Sequence, residues 1–162
     1  MSYRSLSIHL KSLLVSVALL VALLSASAAK AEVPAESIPA QELGCLAMNI
    51  YHEARGETVK GKLAVAAVTM NRVKSKYYPD TVCGVVWQSK QFSWTGTKTE
   101  HHAVNETQAW VNAIEIAQMF IDGGNWEGVG EATHYHTIAV SPNWKNDDQL
   151  IGQVGNHLFY AL

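Results

Sequence analysis

Three stretches of the chain carry apolar residues at intervals of three and four positions, the spacing that places side chains on one face of an α-helix. The first stretch has Leu43, Leu46, Ala47, Ile50 and Ala54. The second has Leu63, Ala66, Ala67, Met70 and Val73, and the third has Trp110, Ile114, Ala117 and Ile121. They predict one helix over about 41–54, a second over 63–73, and a third that ends at the glycine pair 123–124. A short helix over 82–87, capped by Asp80 or Thr81, is predicted between the last two.

Two segments near the C-terminus have the composition of β-strands. Residues 132–140 and 153–162 are rich in aromatic and β-branched side chains, and we predict that they pair antiparallel. The fold class is therefore α+β, a mainly helical domain with a small antiparallel sheet near the C-terminus. Residues 88–105 show no sustained period and predict a long surface loop that holds Phe92 and Trp94. Loops of this length are often functional.

The N-terminal segment has the three-part order of a secretory signal peptide. Arg4 and Lys11 precede an apolar run over 13–24, and small residues follow over 25–31. We predict a signal peptide over 1–31, a linker over 32–40, and a folded domain over 41–162. The alternative is a retained membrane anchor, but spanning takes about 20 apolar residues. With the segment cleaved, the protein is expected in the periplasm or cell envelope, or secreted, with no stable membrane anchor.

The charge distribution makes nucleic acid an unfavourable partner. The whole chain has 12 Lys and Arg against 14 Asp and Glu, and from Glu32 onward 9 basic residues face all 14 acidic ones. Nucleic acid binding needs clustered Lys and Arg that neutralise phosphates, so we expect none.

The chain contains two cysteines, Cys45 and Cys83. Because exported proteins meet an oxidising environment, we predict that the two form a disulfide. The alternative is two buried free thiols.

The densest polar cluster, over 49–57, lies at the end of the first predicted helix. Ile50 belongs to the apolar face one turn before Glu53, so Glu53 is expected on or beside the buried side. Burial makes a carboxyl group hold its proton more tightly, as a general acid near neutral pH requires. The alternative is that Glu53 and Glu57 are ordinary solvated helix residues.

Several polar and aromatic motifs follow one another along the chain. They are Tyr51-His52-Glu53-Ala54-Arg55-Gly56-Glu57, Asn71-Arg72-Val73, Tyr78-Pro79-Asp80-Thr81-Val82-Cys83, Gln91-Phe92-Ser93-Trp94, His134-Tyr135-His136, Pro142-Asn143-Trp144 and Gly155-Asn156-His157-Leu158-Phe159-Tyr160. In this order they closely resemble the motifs of the SleB/CwlJ-type cell wall hydrolases, the spore-cortex-lytic family. The resemblance extends from about Cys45 to Tyr160.

The resemblance implies a lysozyme-like, transglycosylase-related fold that cuts peptidoglycan glycan strands between N-acetylmuramic acid and N-acetylglucosamine. The catalytic glutamate of the family falls on Glu53. Ordinary glycosidases need two carboxyl groups, and no second acid has a comparable predicted setting, which favours a lytic transglycosylase with a single catalytic Glu. Such an enzyme needs no cofactor and no metal, and we expect it to act as a monomer.

The remaining candidate residues are expected to bind substrate. They are Tyr51, Glu57, Asn71, Phe92, Trp94, His134, Tyr135, His136 and Trp144. For Glu57 the structural alternative is pairing with Arg55 or Arg72, and for the aromatic residues it is filling of the core. Arg72 at a helix end also suits the helix dipole.

Two rival functions remain open at this level. His134 and His136 share one face of a predicted strand, and His157 on its partner could complete a zinc site for a peptidoglycan amidase or peptidase. A non-catalytic peptidoglycan-binding module is the other alternative.

Overall fold

The computed structural model describes residues 37–97 and 104–162, which contain four α-helices and one three-stranded sheet. The helices are α1 (Ser37–Ala54), α2 (Val59–Lys74), α3 (Val82–Val86) and α4 (Thr107–Ile121). The strands are β1 (His134–Thr137), β2 (Leu150–Val154) and β3 (His157–Tyr160), and 3-10 turns cover Ser93–Gly96 and Asp147–Gln149. This confirms the predicted α+β class. The predicted signal peptide over 1–31 lies outside the described residues.

Helix α1 is the centre of the packing and contacts the other three helices. Its apolar face is fully buried at Leu46 and Ile50, where it meets Val68 of α2 and Phe120 of α4 in one hydrophobic core. The three-and-four spacing identified the buried face of α1. In α2 and α4 the most deeply buried side chains, among them Val68 and Phe120, lie beside the predicted stripes. Most of the predicted residues there are only partly buried against the core: Leu63, Met70, Val73, Trp110, Ile114 and Ile121.

The structure begins α1 at Ser37, four residues before the predicted start. Residues 37–40 are therefore helical, although Pro39 led us to place them in the linker. The reason is that backbone N–H groups in the first turn of a helix have no intrahelical partner, so a proline there costs no hydrogen bond.

Threonine side chains cap two helices. Thr81, one of the two predicted candidates, caps α3, and Thr58, which was not predicted, caps α2; each accepts a backbone N–H three residues along the chain. After α4, Gly123 adopts a φ of 88°, and Gly124 donates its N–H to the Met119 carbonyl at 2.9 Å. This arrangement satisfies the last carbonyls of α4 and needs glycine at the left-handed position.

The sheet differs from the prediction at its second strand. Residues 153–162 do not form one strand, because they contain the end of β2, a tight turn at Gly155 and Asn156, and β3. Gly155 has a φ of 57°, a conformation that closes two-residue hairpins. The resulting order is β1-β3-β2, with both pairs antiparallel.

The register places two sets of side chains on opposite faces of the sheet. Tyr135 pairs with Phe159 and Thr137 with His157, so these four share one face, whereas His136 pairs with Leu158. Phe159 lies in the hydrophobic core, so its face is the one turned toward the helices. His134, His136 and Tyr160 lie on the outer face, because alternate residues of a strand point to opposite sides.

Two long-range contacts tie α1 and the connection after it to distant parts of the chain. Cys45 in the middle of α1 and Cys83 in α3 form the predicted disulfide, 38 residues apart along the chain. Beyond the C-terminal end of α1, the Glu57 carboxylate accepts hydrogen bonds from the Asn156 backbone at 3.4 Å and from its side chain at 3.0 Å. The β2–β3 turn is thereby tied to the connection between α1 and α2.

No helix within 37–97 or 104–162 is long and apolar enough to cross a membrane.

Replacing both cysteines (Cys45→Ala with Cys83→Ala) should lower the free energy of unfolding by about 3–4 kcal/mol, because the unfolded chain gains the entropy of an open loop. Urea denaturation measures the change. Reductant should bring the wild-type protein to the same midpoint and leave the double variant unaffected. Equal midpoints for the oxidised wild type and the variant would contradict a stabilising role.

Gly155→Ala should lower the free energy of unfolding by about 1–3 kcal/mol, because alanine is strained at positive φ and its Cβ would collide with the Glu57 carboxylate. Gly152→Ala is the matched control, since that position in β2 has open space around it. Chemical denaturation compares the two. Similar losses in both variants would show that the Glu57 contact does not depend on a glycine at 155.

Candidate active site

A cleft of about 430 Å³ opens where the C-terminal end of α1 meets the sheet and the start of α4. Its lining is polar and comes from distant parts of the sequence. The lining residues are His52, Glu53, Arg55, Gly56, Glu57, Glu106, Thr137, Asn156 and His157.

Glu53 lies in the last turn of α1 and is half-buried in the wall of this cleft. Its Oε2 atom accepts a hydrogen bond of 3.0 Å from the Tyr135 hydroxyl of β1. Burial raises the pKa of Glu53, and the Tyr135 hydrogen bond and the Arg72 charge oppose that rise. Glu53 therefore has the desolvated environment that its position after Ile50 predicted, and it is the kind of group that can donate a proton near neutral pH.

Arg72 supplies the positive charge near Glu53 from within the core. It is 3% exposed, and its Nε donates to the Thr133 carbonyl at 2.7 Å. The guanidinium lies over the rings of Phe92 and Tyr78, at 5.3 and 5.6 Å from their centroids. Sequence analysis noted Arg72 as a helix-end residue and as an alternative partner of Glu57. The signal available was its place in a mainly apolar helix, since a buried arginine needs partners.

Glu57 does not pair with Arg55 or Arg72, the partners expected for a structural role. It binds Asn156, and its Oε1 lies 3.8 Å from Nδ1 of His157. Arg55 instead pairs with Glu106 at 3.3 Å across the cleft mouth. The difference arises because the partners of Glu57 come from the β2–β3 turn and the start of β3, 99 and 100 residues along the chain, which no local spacing reveals.

Three of the aromatic residues predicted to bind substrate, Tyr51, Phe92 and Trp94, are at most 8% exposed and pack in the core. The Tyr51 hydroxyl accepts the backbone N–H groups of Asn105 and Glu106 and so holds the start of α4. The indole of Trp94 donates to Asn49 and stacks on His52 at 4.5 Å. These three side chains therefore pack beneath the cleft and are not among the residues that line it.

The outer face of the sheet holds three more predicted residues. Trp144, 40% exposed, packs against His134 at 5.2 Å and His136 at 5.5 Å. The His136 Nε2 atom is 3.1 Å from the Tyr160 hydroxyl. This cluster lies on the opposite side of the sheet from Tyr135 and Glu53.

Asn71, another residue predicted to bind substrate, connects α2 to the segment before β1. Its side-chain amide donates to the carbonyls of Gly130 and Ala132, at 2.8 and 3.0 Å, and so ties α2 to the segment that leads into β1.

The register is incompatible with the three-histidine zinc site. His157 shares the core-facing side of the sheet with Thr137, whereas His134 and His136 point to the outer face. The ring nitrogens of His136 already face Tyr160 and a backbone carbonyl. Within the described part of the chain, no group of three His, Cys, Asp or Glu side chains is arranged to hold a metal ion. The alternative of a zinc-binding trio did not take into account which partner residue lies opposite each histidine.

Sequence analysis did not assign Asn156, His157, Thr137 and Glu106 to a cleft with Glu53. Burial lowers the pKa of His157, and the nearby Glu57 opposes that effect. Only the Gly155-Asn156 pair carried a usable signal, since Gly-Asn marks a tight hairpin turn.

Comparison with known proteins gives consistent matches. The family described as Cell Wall Hydrolase matches residues 56–160, a range that begins three residues after Glu53. The spore cortex-lytic enzyme of Oceanobacillus iheyensis is 33% identical over 121 residues, covering 73% of this chain and 41% of that protein. The corresponding enzyme of Bacillus subtilis is 32% identical over 142 residues, covering 83% and 43%. The chain thus spans less than half the length of these curated relatives.

Two solved structures are similar to the fold described above. The catalytic domain of the Bacillus cereus SleB protein aligns with a TM-score of 0.61 and 28% identity, covering 75% of this chain and 91% of that one. The catalytic domain of the germination-specific lytic transglycosylase SleB from Bacillus anthracis also has a TM-score of 0.61, with 29% identity, covering 74% and 93%. Together with the family match over most of the described residues, these similarities show that the chain belongs to the cell wall hydrolase family.

Proposed function

We propose that the protein cleaves the glycan strands of peptidoglycan between N-acetylmuramic acid and N-acetylglucosamine, as a lytic transglycosylase with Glu53 as its single catalytic carboxyl group. The observation that carries the proposal is the half-buried Glu53, whose pKa is raised and which lines an open cleft. The similar Bacillus anthracis domain, which bears the name of a lytic transglycosylase, supports the reaction type.

In the proposed reaction Glu53 first acts as an acid. It donates its proton to the glycosidic oxygen, and the bond between that oxygen and C1 of the muramic acid breaks. The resulting Glu53 carboxylate then takes the proton of the C6 hydroxyl on the same sugar, and O6 bonds to C1. The product is a 1,6-anhydro end, and Glu53 is protonated again without any water having been added.

The other two acids in the cleft support the single-carboxylate scheme. A hydrolytic mechanism needs a second carboxyl group as nucleophile or base. Glu57 is held by two hydrogen bonds from Asn156 and is turned toward the hairpin, and Glu106 is exposed and paired with Arg55. Glu106 therefore lacks the buried setting of Glu53, and the Glu57 side chain, although only 11% exposed, is already bound to the hairpin turn.

Location and assembly follow the same reasoning. Peptidoglycan lies outside the cytoplasm, which agrees with a secretory signal over 1–31 and with the disulfide between Cys45 and Cys83. We propose export to the periplasm or cell envelope. Because the whole cleft comes from one chain, we also propose that the monomer is the active unit.

Glu53→Gln should abolish turnover of purified peptidoglycan, because the amide keeps the shape of the side chain but cannot donate the proton. Glu115→Gln on the exposed side of α4 is the matched control and should leave activity unchanged. Dye release from labelled sacculi measures both. Substantial turnover by Glu53→Gln would refute the assignment.

The same variant should be at least as thermostable as the wild type at neutral pH. A carboxyl group with a raised pKa in the folded state favours folding below its unfolded pKa, and this contribution is lost as pH rises through the folded value. The melting temperature of Glu53→Gln relative to wild type should therefore increase with pH above about 4.5. A difference that is constant across pH would contradict the raised pKa.

Mass spectrometry of soluble products should show muropeptides lighter by one water than their reducing counterparts, because ring closure by O6 replaces hydrolysis. Reducing muramic acid ends would show that water completes the reaction and that a second catalytic group is present. The Glu53→Gln protein serves as the blank.

A further inference from the structure

Tyr135 holds the catalytic carboxyl group from the core-facing side of β1. Its hydroxyl donates to Oε2 of Glu53 at 3.0 Å, across 82 residues of sequence. The Tyr135 ring packs against His157 at 5.3 Å and Phe159 at 5.6 Å. Because neighbouring side chains on the same sheet face restrict the ring, the hydroxyl has little freedom to leave Glu53.

Tyr135 remains a hydrogen-bond donor throughout the working pH range. Burial, followed by the negative charge of Glu53, raises the pKa of Tyr135 well above its ordinary value of 10. Its hydroxyl proton is therefore present both before and after Glu53 gives up its own proton.

We propose that Tyr135 is a positioning residue that assigns both proton transfers to the Oε1 atom of Glu53. This inference rests on the function proposed above. An oxygen that accepts a hydrogen bond from a permanent donor is the carbonyl-like oxygen of a neutral carboxyl group, so the proton is carried by Oε1.

The same contact serves the second step of the reaction. When Oε1 has released its proton to the glycosidic oxygen, the Tyr135 hydroxyl stabilises the negative charge at Oε2. Oε1 is then the oxygen left to take the C6 hydroxyl proton. One atom thus performs the acid and the base step, and the carboxyl group does not need to rotate between them.

Other charged groups also act on Glu53, and the test must separate them from Tyr135. Arg72 of α2 lies on the core side, and its positive charge opposes the rise in pKa of both Glu53 and Tyr135. The titratable side chains on the cleft side are His52, Arg55, Glu57, Glu106 and His157. A substitution that removes the Tyr135 hydroxyl alone leaves all of these in place.

The test compares Tyr135→Phe with Tyr160→Phe. Both remove a tyrosine hydroxyl from the same sheet, but the Tyr160 hydroxyl faces His136 on the outer side and does not contact Glu53. Carbon-13 NMR of protein labelled at the glutamate carboxyl carbons follows the titration of Glu53 without substrate. Tyr135→Phe should move this titration to higher pH, because a hydrogen bond to the charged form is lost, and Tyr160→Phe should leave it unchanged.

Kinetics provide a second readout. The kcat of Tyr135→Phe should fall about 10- to 100-fold, the size expected for losing one hydrogen bond to a developing charge, with little change in KM. Because the protonated form of Glu53 starts the reaction, activity falls as pH rises through its pKa, and in Tyr135→Phe this fall should occur at higher pH. Loss of packing alone would lower activity without moving the profile.

Wild-type protein gives a check that needs no variant. The ζ-carbon signal of Tyr135 should shift with the titration of Glu53, since the hydroxyl donates to that carboxyl group. The positioning role would be overturned if the titration of Glu53 were unchanged in Tyr135→Phe, or if the chemical shift of the Tyr135 ζ-carbon did not change as Glu53 titrates. Failure of the proposed function looks different: Glu53→Gln would remain active while the two NMR titrations still reported the contact.

Discussion

The contact between the core-facing side of the sheet and the last turn of α1 is the interaction on which the site depends. Tyr135 reaches Glu53 from β1, and Asn156 reaches Glu57 from the β2–β3 turn. Helix α1 alone would leave both carboxylates at a frayed helix end. The sheet supplies a hydrogen-bond donor to each carboxylate, and both carboxylates line the cleft.

This arrangement places charge in the interior, which costs stability. Glu53 is desolvated, and Arg72 is almost fully buried behind it. Removing a guanidinium from water is tolerable only when hydrogen bonds and polarisable surfaces replace the solvent. Thr133 supplies the hydrogen bond to Arg72, and the rings of Phe92 and Tyr78 supply the surfaces. Phe92 of the long loop and Tyr78 thus support the site indirectly, by packing against the Arg72 guanidinium that opposes the rise in the pKa of Glu53.

The two faces of the sheet have separate tasks. The inner face carries Tyr135, His157 and Phe159 and completes the core and the cleft. The outer face carries His134 and His136 under the half-exposed Trp144, with Tyr160 fully buried among them. Because successive side chains of a strand point to opposite faces, a shift of one position decides whether a histidine lies near the proposed reaction or on the far face of the sheet. Both histidines of the His134-Tyr135-His136 motif lie behind it, and the tyrosine between them reaches the carboxyl group.

The sequence alone determined the local features of this protein. Apolar spacing and capping residues depend on neighbours a few positions apart, so these local patterns located the helices, the Thr81 cap of α3, the glycine end of α4, and the desolvated position of Glu53 after Ile50. The only two cysteines left one intramolecular pair to predict. Tertiary structure decided what lies opposite these residues. The partners of Glu53 and Glu57 are 82 and 99 positions away, and strand register and the position of the hairpin select them. Those choices depend on how the sheet packs against the helices, which no local pattern along the chain encodes.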